Sequence, residues 1–114
     1  MNDYSSHVAI IGAGISGLTL GCVLKQSGVP VIIFEKSSMA SEQGAGISIS
    51  PNGLKVLRNI GIENDLRSES GNPKEVQFFY KQNKLTSFPV DIVTTSRQCL
   101  YKNLHNKYLS LGGE

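Results

Sequence analysis

The chain has 114 residues, of which 39% are hydrophobic and 18% are charged, and its formal net charge is +2. This length is that of one ordinary domain or part of one, which excludes a large multidomain enzyme. The small charge, without a basic stripe, argues against nucleic acid or an anionic membrane as a partner. The longest apolar runs have the length of strands, so no transmembrane segment is expected. The two cysteines, Cys22 and Cys99, lack metal-ligand spacing, which favours reduced thiols in a cytoplasmic protein and no metal site.

The first elements alternate strand, helix and strand. His7–Ile11 is a continuous apolar run, typical of a strand that is buried on both faces. From Ile15 the apolar residues recur every three or four positions, which predicts a helix that Gly28 ends. Val31–Phe34 is a second strand-like run. Residues 7–35 are therefore predicted to form a parallel βαβ unit.

Residues 36–93 are predicted to hold a loop, helices and a hairpin. After the loop, Ile47 and Ile49 alternate with serines, which suggests a short strand. Ser50 followed by Pro51 has the pattern of a helix start, and Gly61 is expected to end that helix. A short polar helix over residues 62–69 is expected to follow.

Two alternating segments then predict a β-hairpin. Val76, Phe78 and Tyr80 alternate with polar neighbours, and residues 85–88 follow across a turn at Gln82 and Asn83. A final helix is predicted over residues 95–111, because Thr95 and Gln98 have the spacing of a capping box.

A glycine motif lies between the first strand and the first helix. Its residues are Gly12, Ala13, Gly14, Ile15, Ser16 and Gly17, a G-x-G-x-x-G pattern in the position that dinucleotide-binding folds require. The first glycine permits a sharp turn, the second lets a pyrophosphate approach, and the third lets the helix pack closely on the strands. The open N–H groups of the helix N-terminus favour a phosphate. A Rossmann-like α/β fold that binds a dinucleotide is therefore predicted.

Glu35 follows the second strand, 18 residues after Gly17. A carboxylate at this place accepts hydrogen bonds from the hydroxyls of the adenosine ribose. Its charge disfavours the 2′-phosphate of NADP at this site. FAD and NAD both remain open on the glycine motif and Glu35 alone.

Further segments resemble the FAD-dependent aromatic-ring monooxygenases, the family of para-hydroxybenzoate and salicylate hydroxylases. The resemblance covers Gly12 to Glu35, the run Gly44-Ala-Gly-Ile-Ser-Ile-Ser-Pro-Asn-Gly-Leu54, residues 60–62, and Ser96-Arg97-Gln-Cys-Leu100. It extends over nearly the whole chain, although residues 65–93 match in layout more than in letters. The resemblance implies that the dinucleotide is FAD, and it places Lys36, Gly46 and Arg97 among the cofactor contacts.

The family resemblance also implies an activity. Its members hold FAD, accept hydride from NAD(P)H and use O₂ to hydroxylate or epoxidise a small organic substrate, most often an aromatic one. The family's D-G and G-D motifs have no counterpart in this sequence. The chain is therefore expected to be the N-terminal portion of an FAD-binding domain, with an incomplete fold and no activity of its own, and no catalytic residue is assigned.

Two alternatives remain open. An amine-oxidase or disulfide-reductase relative would share the glycine motif and the glutamate, but it usually follows the glutamate with an arginine-glycine segment or a redox C-x-x-x-x-C. Neither pattern is present. A non-catalytic, truncated nucleotide-binding remnant is the second alternative.

Overall fold

The structure is a computed structural model that describes residues 3–35 and 46–114. These residues form two compact units. The first comprises residues 3–35 and Arg97–Glu114, and the second comprises Gly46–Ser96. In chain order the elements are β1 (Val8–Ile11), α1 (Ile15–Gln26), β2 (Val31–Phe34), β3 (Gly46–Ile49), α2 (Pro51–Ile60), α3 (Glu63–Ser68), β4 (Glu75–Tyr80), β5 (Asn83–Pro89), β6 (Val93–Ser96) and α4 (Arg97–Ser110).

The first unit is built on the predicted βαβ arrangement. β1 and β2 are parallel and in register from Val8 opposite Val31 to Ile11 opposite Phe34. α1 packs on the side of this pair that carries Ile10, and it buries Leu18 in the interior. The apolar runs and the change of period therefore predicted this unit correctly.

One expectation for β1 is wrong. The strand was expected to be buried on both faces, but Ala9 and Ile11, which share one face, are exposed, with Ile11 at 83%, while Ile10 on the other face is buried. α1 covers the side of β1 that carries Ile10, whereas the side of β1 that carries Ala9 and Ile11 is exposed.

α4 packs against α1 through buried side chains in its second half. The thiol of Cys22 lies 3.7 Å from the carbonyl oxygen of Leu104, and the ring of Tyr108 lies against Gly21. The Tyr108 hydroxyl donates to the carbonyl oxygen of Glu114 at 3.1 Å. α4 is thereby fixed to both the first helix and the end of the chain.

α1, α2 and α4 end in the same way. After α1 the amide of Gly28 donates to Lys25 and the amide of Val29 donates to Leu24, the two bonds of a Schellman motif. The same pattern occurs at Gly61 and at Gly112, and all three glycines have a positive φ. The ends predicted for α1 at Gly28 and for α2 at Gly61 are confirmed.

The second unit combines two antiparallel strand pairs with two helices. β3 pairs with β6, and β4 pairs with β5. α2 begins as predicted, because Ser50 accepts a hydrogen bond from the amide of Gly53 and Pro51 is the first helical residue. The mixed α/β fold class is confirmed, with a parallel βαβ unit and partial antiparallel sheets.

Two predicted boundaries in the second half of the chain are wrong. Thr95 does not start a helix: it lies in β6, and its hydroxyl accepts a hydrogen bond from Ser70 at 2.9 Å. The final helix therefore begins at Arg97 and ends at Ser110. The hairpin turn lies at Lys81 and Gln82, one position before the predicted turn, because Tyr80 pairs with Asn83.

Candidate FAD-binding site

The glycine motif forms a turn between β1 and α1. The amide of Gly12 donates to the carbonyl oxygen of Phe34 at 2.7 Å. Gly12 has φ +103°, a backbone conformation that residues other than glycine rarely adopt. This bond continues the β1–β2 ladder by one residue before the chain turns away. The sharp turn that was assigned to the first glycine is therefore present.

The third glycine lets the start of α1 approach the turn closely. A Cβ atom added at Gly17 would collide with the carbonyl oxygen of Gly12 and would lie 3.3 Å from the side chain of Ile10. Only hydrogen fits between the first turn of α1 and the end of β1. The close approach predicted for this glycine is thus observed as well.

The second glycine faces open space. A Cβ atom added at Gly14 would have no neighbour within 4 Å in the part of the chain that the structure describes, and Gly14 precedes the first residue of α1. The fold itself therefore does not require glycine at this position. A ligand that comes close to the backbone here would require it.

The N-terminus of α1 carries amides without partners inside the helix. The first intrahelical bond runs from the amide of Leu18 to Gly14 at 2.9 Å, so the amides of Ile15, Ser16 and Gly17 precede it. No side chain within residues 3–35 and 46–114 caps this end, and the first turn has no acidic residue. These donors and the positive end of the helix dipole are suited to an anion such as a pyrophosphate.

Glu35 lies next to the glycine motif. Its Oε1 atom accepts a hydrogen bond from the amide of Ala13 at 2.8 Å, although 22 residues separate the two. The side chain is exposed. The sequence predicted a carboxylate near this turn, but its direct bond to the loop backbone could not be inferred from residue spacing.

The remaining predicted contacts fall in different parts of the chain. Arg97 is the first residue of α4, in the same unit as the glycine motif, and its side chain is half-buried. Gly46 begins β3 in the second unit. Lys36 lies outside the described residues. Among residues 3–35 and 46–114, no cluster of His, Cys, Asp and Glu is arranged to hold a metal ion.

Comparison with known proteins shows to which family this chain is related. A family model described as FAD binding domain matches residues 5–109. The FAD-dependent monooxygenase pytG of Aspergillus terreus is 46% identical over 63 residues, which cover 55% of this chain and 19% of that protein. The 6-hydroxynicotinate 3-monooxygenase of Pseudomonas fluorescens is 39% identical over 69 residues, which cover 60% of this chain and 18% of that protein.

Comparison with solved structures also finds an oxygenase. The structure of 2-methyl-3-hydroxypyridine-5-carboxylic acid oxygenase superposes on this chain with a TM-score of 0.84 and 30% sequence identity. The superposition covers 96% of this chain and 31% of the oxygenase chain. This chain spans about a fifth of the length of the two relatives named above. The cofactor is FAD, as the resemblance implied. The chain belongs to the FAD binding domain family, among the FAD-dependent monooxygenases.

Proposed function

We propose that the glycine motif, Gly12 to Gly17, and Glu35 bind the ADP part of FAD. The observation that carries this proposal is the open N-terminus of α1, where amides without helical partners and the bare backbone of Gly14 lie beside the carboxylate of Glu35. Lys36, Gly46 and Arg97 are proposed as further contacts to the cofactor.

Each group has a distinct role in this proposal. The amides of Ile15, Ser16 and Gly17 donate hydrogen bonds to pyrophosphate oxygens, and the helix dipole stabilises the negative charge. Glu35 accepts from the ribose hydroxyls and repels a 2′-phosphate. Arg97 supplies a positive charge toward the pyrophosphate. The bound flavin supplies the redox chemistry, accepting hydride and reacting with O₂.

We further propose that the full-length protein is a monooxygenase that uses NAD(P)H and O₂ on an aromatic or related small organic substrate. Support comes from the names of the proteins that this chain resembles, two of which are oxygenases of hydroxylated pyridine carboxylic acids. The substrate pocket and the binding site for the reactive end of the flavin are proposed to lie in the part of the relatives that this chain does not match.

Substitutions at two glycines would separate binding from folding. We expect Gly14→Ala to lower the affinity for ADP and FAD by about ten- to a hundredfold, since one or two hydrogen bonds to a charged group would be lost. Its melting temperature should stay unchanged because a Cβ there meets nothing within 4 Å. Gly17→Ala should instead lower the free energy of unfolding by about 1–3 kcal/mol, since the added Cβ collides with Gly12.

Calorimetric titration with ADP and FAD, together with thermal unfolding, would measure both effects. Ser27→Ala, at the opposite end of α1, is the matched control and should change neither affinity. Wild-type chain that binds neither ligand would contradict the proposal, and so would Gly14→Ala chain with unchanged affinity.

We also propose a cytoplasmic location. Neither Cys22 nor Cys99 forms a disulfide bond, and burial raises the pKa of the Cys22 thiol, which keeps it protonated and unreactive. No helix in the described ranges is both long and apolar enough to cross a membrane. Fractionation of the source cells, followed by immunodetection, tests this location, and recovery in a secreted fraction would contradict it.

A further inference from the structure

We infer that Glu35 is a positioning residue for the glycine motif as well as a ribose ligand: its carboxylate holds the loop in the phosphate-binding shape before any nucleotide arrives. The hydrogen bond from the Ala13 amide to Glu35 at 2.8 Å is the observation behind this inference. The ligand part of the inference rests on the proposed function, whereas the loop part stands on this contact alone.

The bond lies between the two regular elements that flank the loop. The preceding bond, from Gly12 to Phe34, belongs to the β1–β2 ladder, and the next one, from Leu18 to Gly14, belongs to α1. Ala13 lies between these two regular elements. The bond to Glu35 therefore ties the loop to the end of β2 at the point that neither β1 nor α1 holds.

The arrangement also divides the amides between two roles. The Ala13 amide is used by Glu35, whereas the amides of Ile15, Ser16 and Gly17 point out of the first turn of α1 without helical partners. A donor that is already satisfied keeps the loop in one conformation, so that less conformational entropy is lost when phosphate binds. Glu35 thus contributes to the binding of a group that it does not contact.

A ligand without ribose distinguishes this role from ribose binding. Inorganic pyrophosphate has no ribose hydroxyl for Glu35 to accept from, and the carboxylate repels its negative charge. If Glu35 acted through ribose alone, Glu35→Ala would leave pyrophosphate affinity unchanged or raise it. If Glu35 holds the loop, we expect Glu35→Ala to weaken pyrophosphate binding by about tenfold, as for the loss of one charge-assisted hydrogen bond.

The conservative variant Glu35→Gln should restore pyrophosphate binding. Glu35→Gln retains an acceptor oxygen for the Ala13 amide and removes the charge, so its pyrophosphate affinity should equal or exceed that of the wild type. Glu35→Asp retains the charge on a shorter side chain that reaches Ala13 less well, so it should bind pyrophosphate less tightly than Glu35→Gln. Glu75→Ala, an exposed glutamate in the second unit, is the matched control and should behave as wild type.

Amide hydrogen exchange in the absence of ligand tests the loop directly. The Ala13 amide should exchange about tenfold more slowly in the wild type and in Glu35→Gln than in Glu35→Ala. If Glu35→Ala does not fold, Glu35→Asp takes its place in this comparison. Equal exchange rates in all the folded variants would overturn the inference, as would undiminished pyrophosphate binding by Glu35→Ala. Slowed exchange in a chain that binds no ADP would refute the proposed function and leave the loop-holding role intact.

Discussion

At the scale of single residues, Glu63 lies in a network of charged side chains in the second unit. Its carboxylate accepts from Arg58 at 2.9 and 3.0 Å and from Arg67 at 3.3 Å, and Arg67 continues to Asp91 at 3.0 Å. These contacts join α2 and α3 to the segment before β6. The sequence does not predict this network, because the partners come from different elements.

Glu63 should make the stability of the chain depend on pH. The hydrogen bonds from Arg58 lower the pKa of Glu63 from its usual 4.5 to about 2. Because the folded-state pKa is the lower one, the stabilisation is complete above about pH 4.5 and is lost as the pH falls toward 2. We expect Glu63→Gln to be less stable than wild type at pH 7 and the difference to shrink below pH 4.5.

Thermal unfolding of both proteins between pH 7 and pH 2 would measure this dependence. Glu75→Gln is the control, since the carboxylate of Glu75 lies 3.9 Å from Lys84 at an exposed position and such a pair contributes little. A constant difference between wild type and Glu63→Gln across this range would show that the ionised form of Glu63 is not what stabilises the fold.

At the scale of elements, the β4–β5 hairpin has a turn whose sequence does not suit its geometry. The two-residue turn begins at Lys81, which has φ 55°, a value that favours glycine at the first position. We expect Lys81→Gly to raise the free energy of unfolding by up to about 1 kcal/mol. Gln82→Gly, at a position without positive φ, should lower it.

Urea denaturation of the two variants and the wild type would measure the difference. The Lys81 variant also loses the contact of its ammonium group with the Tyr80 ring, 5.6 Å from the ring centroid, which is worth little at an exposed position. If both glycine variants were destabilised equally, the turn geometry described for Lys81 would be wrong.

The elements differ in how far the sequence could predict them. β1, α1 and β2 were predictable because their apolar runs, their change of period and the glycine motif lie within about thirty residues of one another. β6 was not, since Val-Thr-Thr-Ser is short and mostly polar, and its partner β3 lies more than forty residues earlier. The same pattern predicted that Gly12 to Gly17 and Glu35 lie around one turn, whereas the contact of Ala13 with Glu35 depends on tertiary structure.

At the scale of the whole molecule, the chain resembles one part of a larger enzyme. It spans about a fifth of the length of its relatives, and the family's D-G and G-D motifs do not occur in it. We expect the purified chain to bind ADP and to show no NAD(P)H-dependent oxygen consumption, even with FAD and hydroxylated pyridine carboxylic acids added. An oxygen electrode provides the measurement, and substrate-stimulated oxygen uptake would contradict this expectation.

The position of Tyr108 offers an optical way to follow the first unit. The chain contains four tyrosines and no tryptophan, so its near-ultraviolet spectrum comes mainly from tyrosine. Tyr108 is buried against Gly21, and this burial raises the pKa of its hydroxyl. In an alkaline absorbance titration, Tyr108 should form tyrosinate later than a tyrosine in water does, and urea should abolish the delay. The folding of α4 onto α1 could therefore be followed without any attached label.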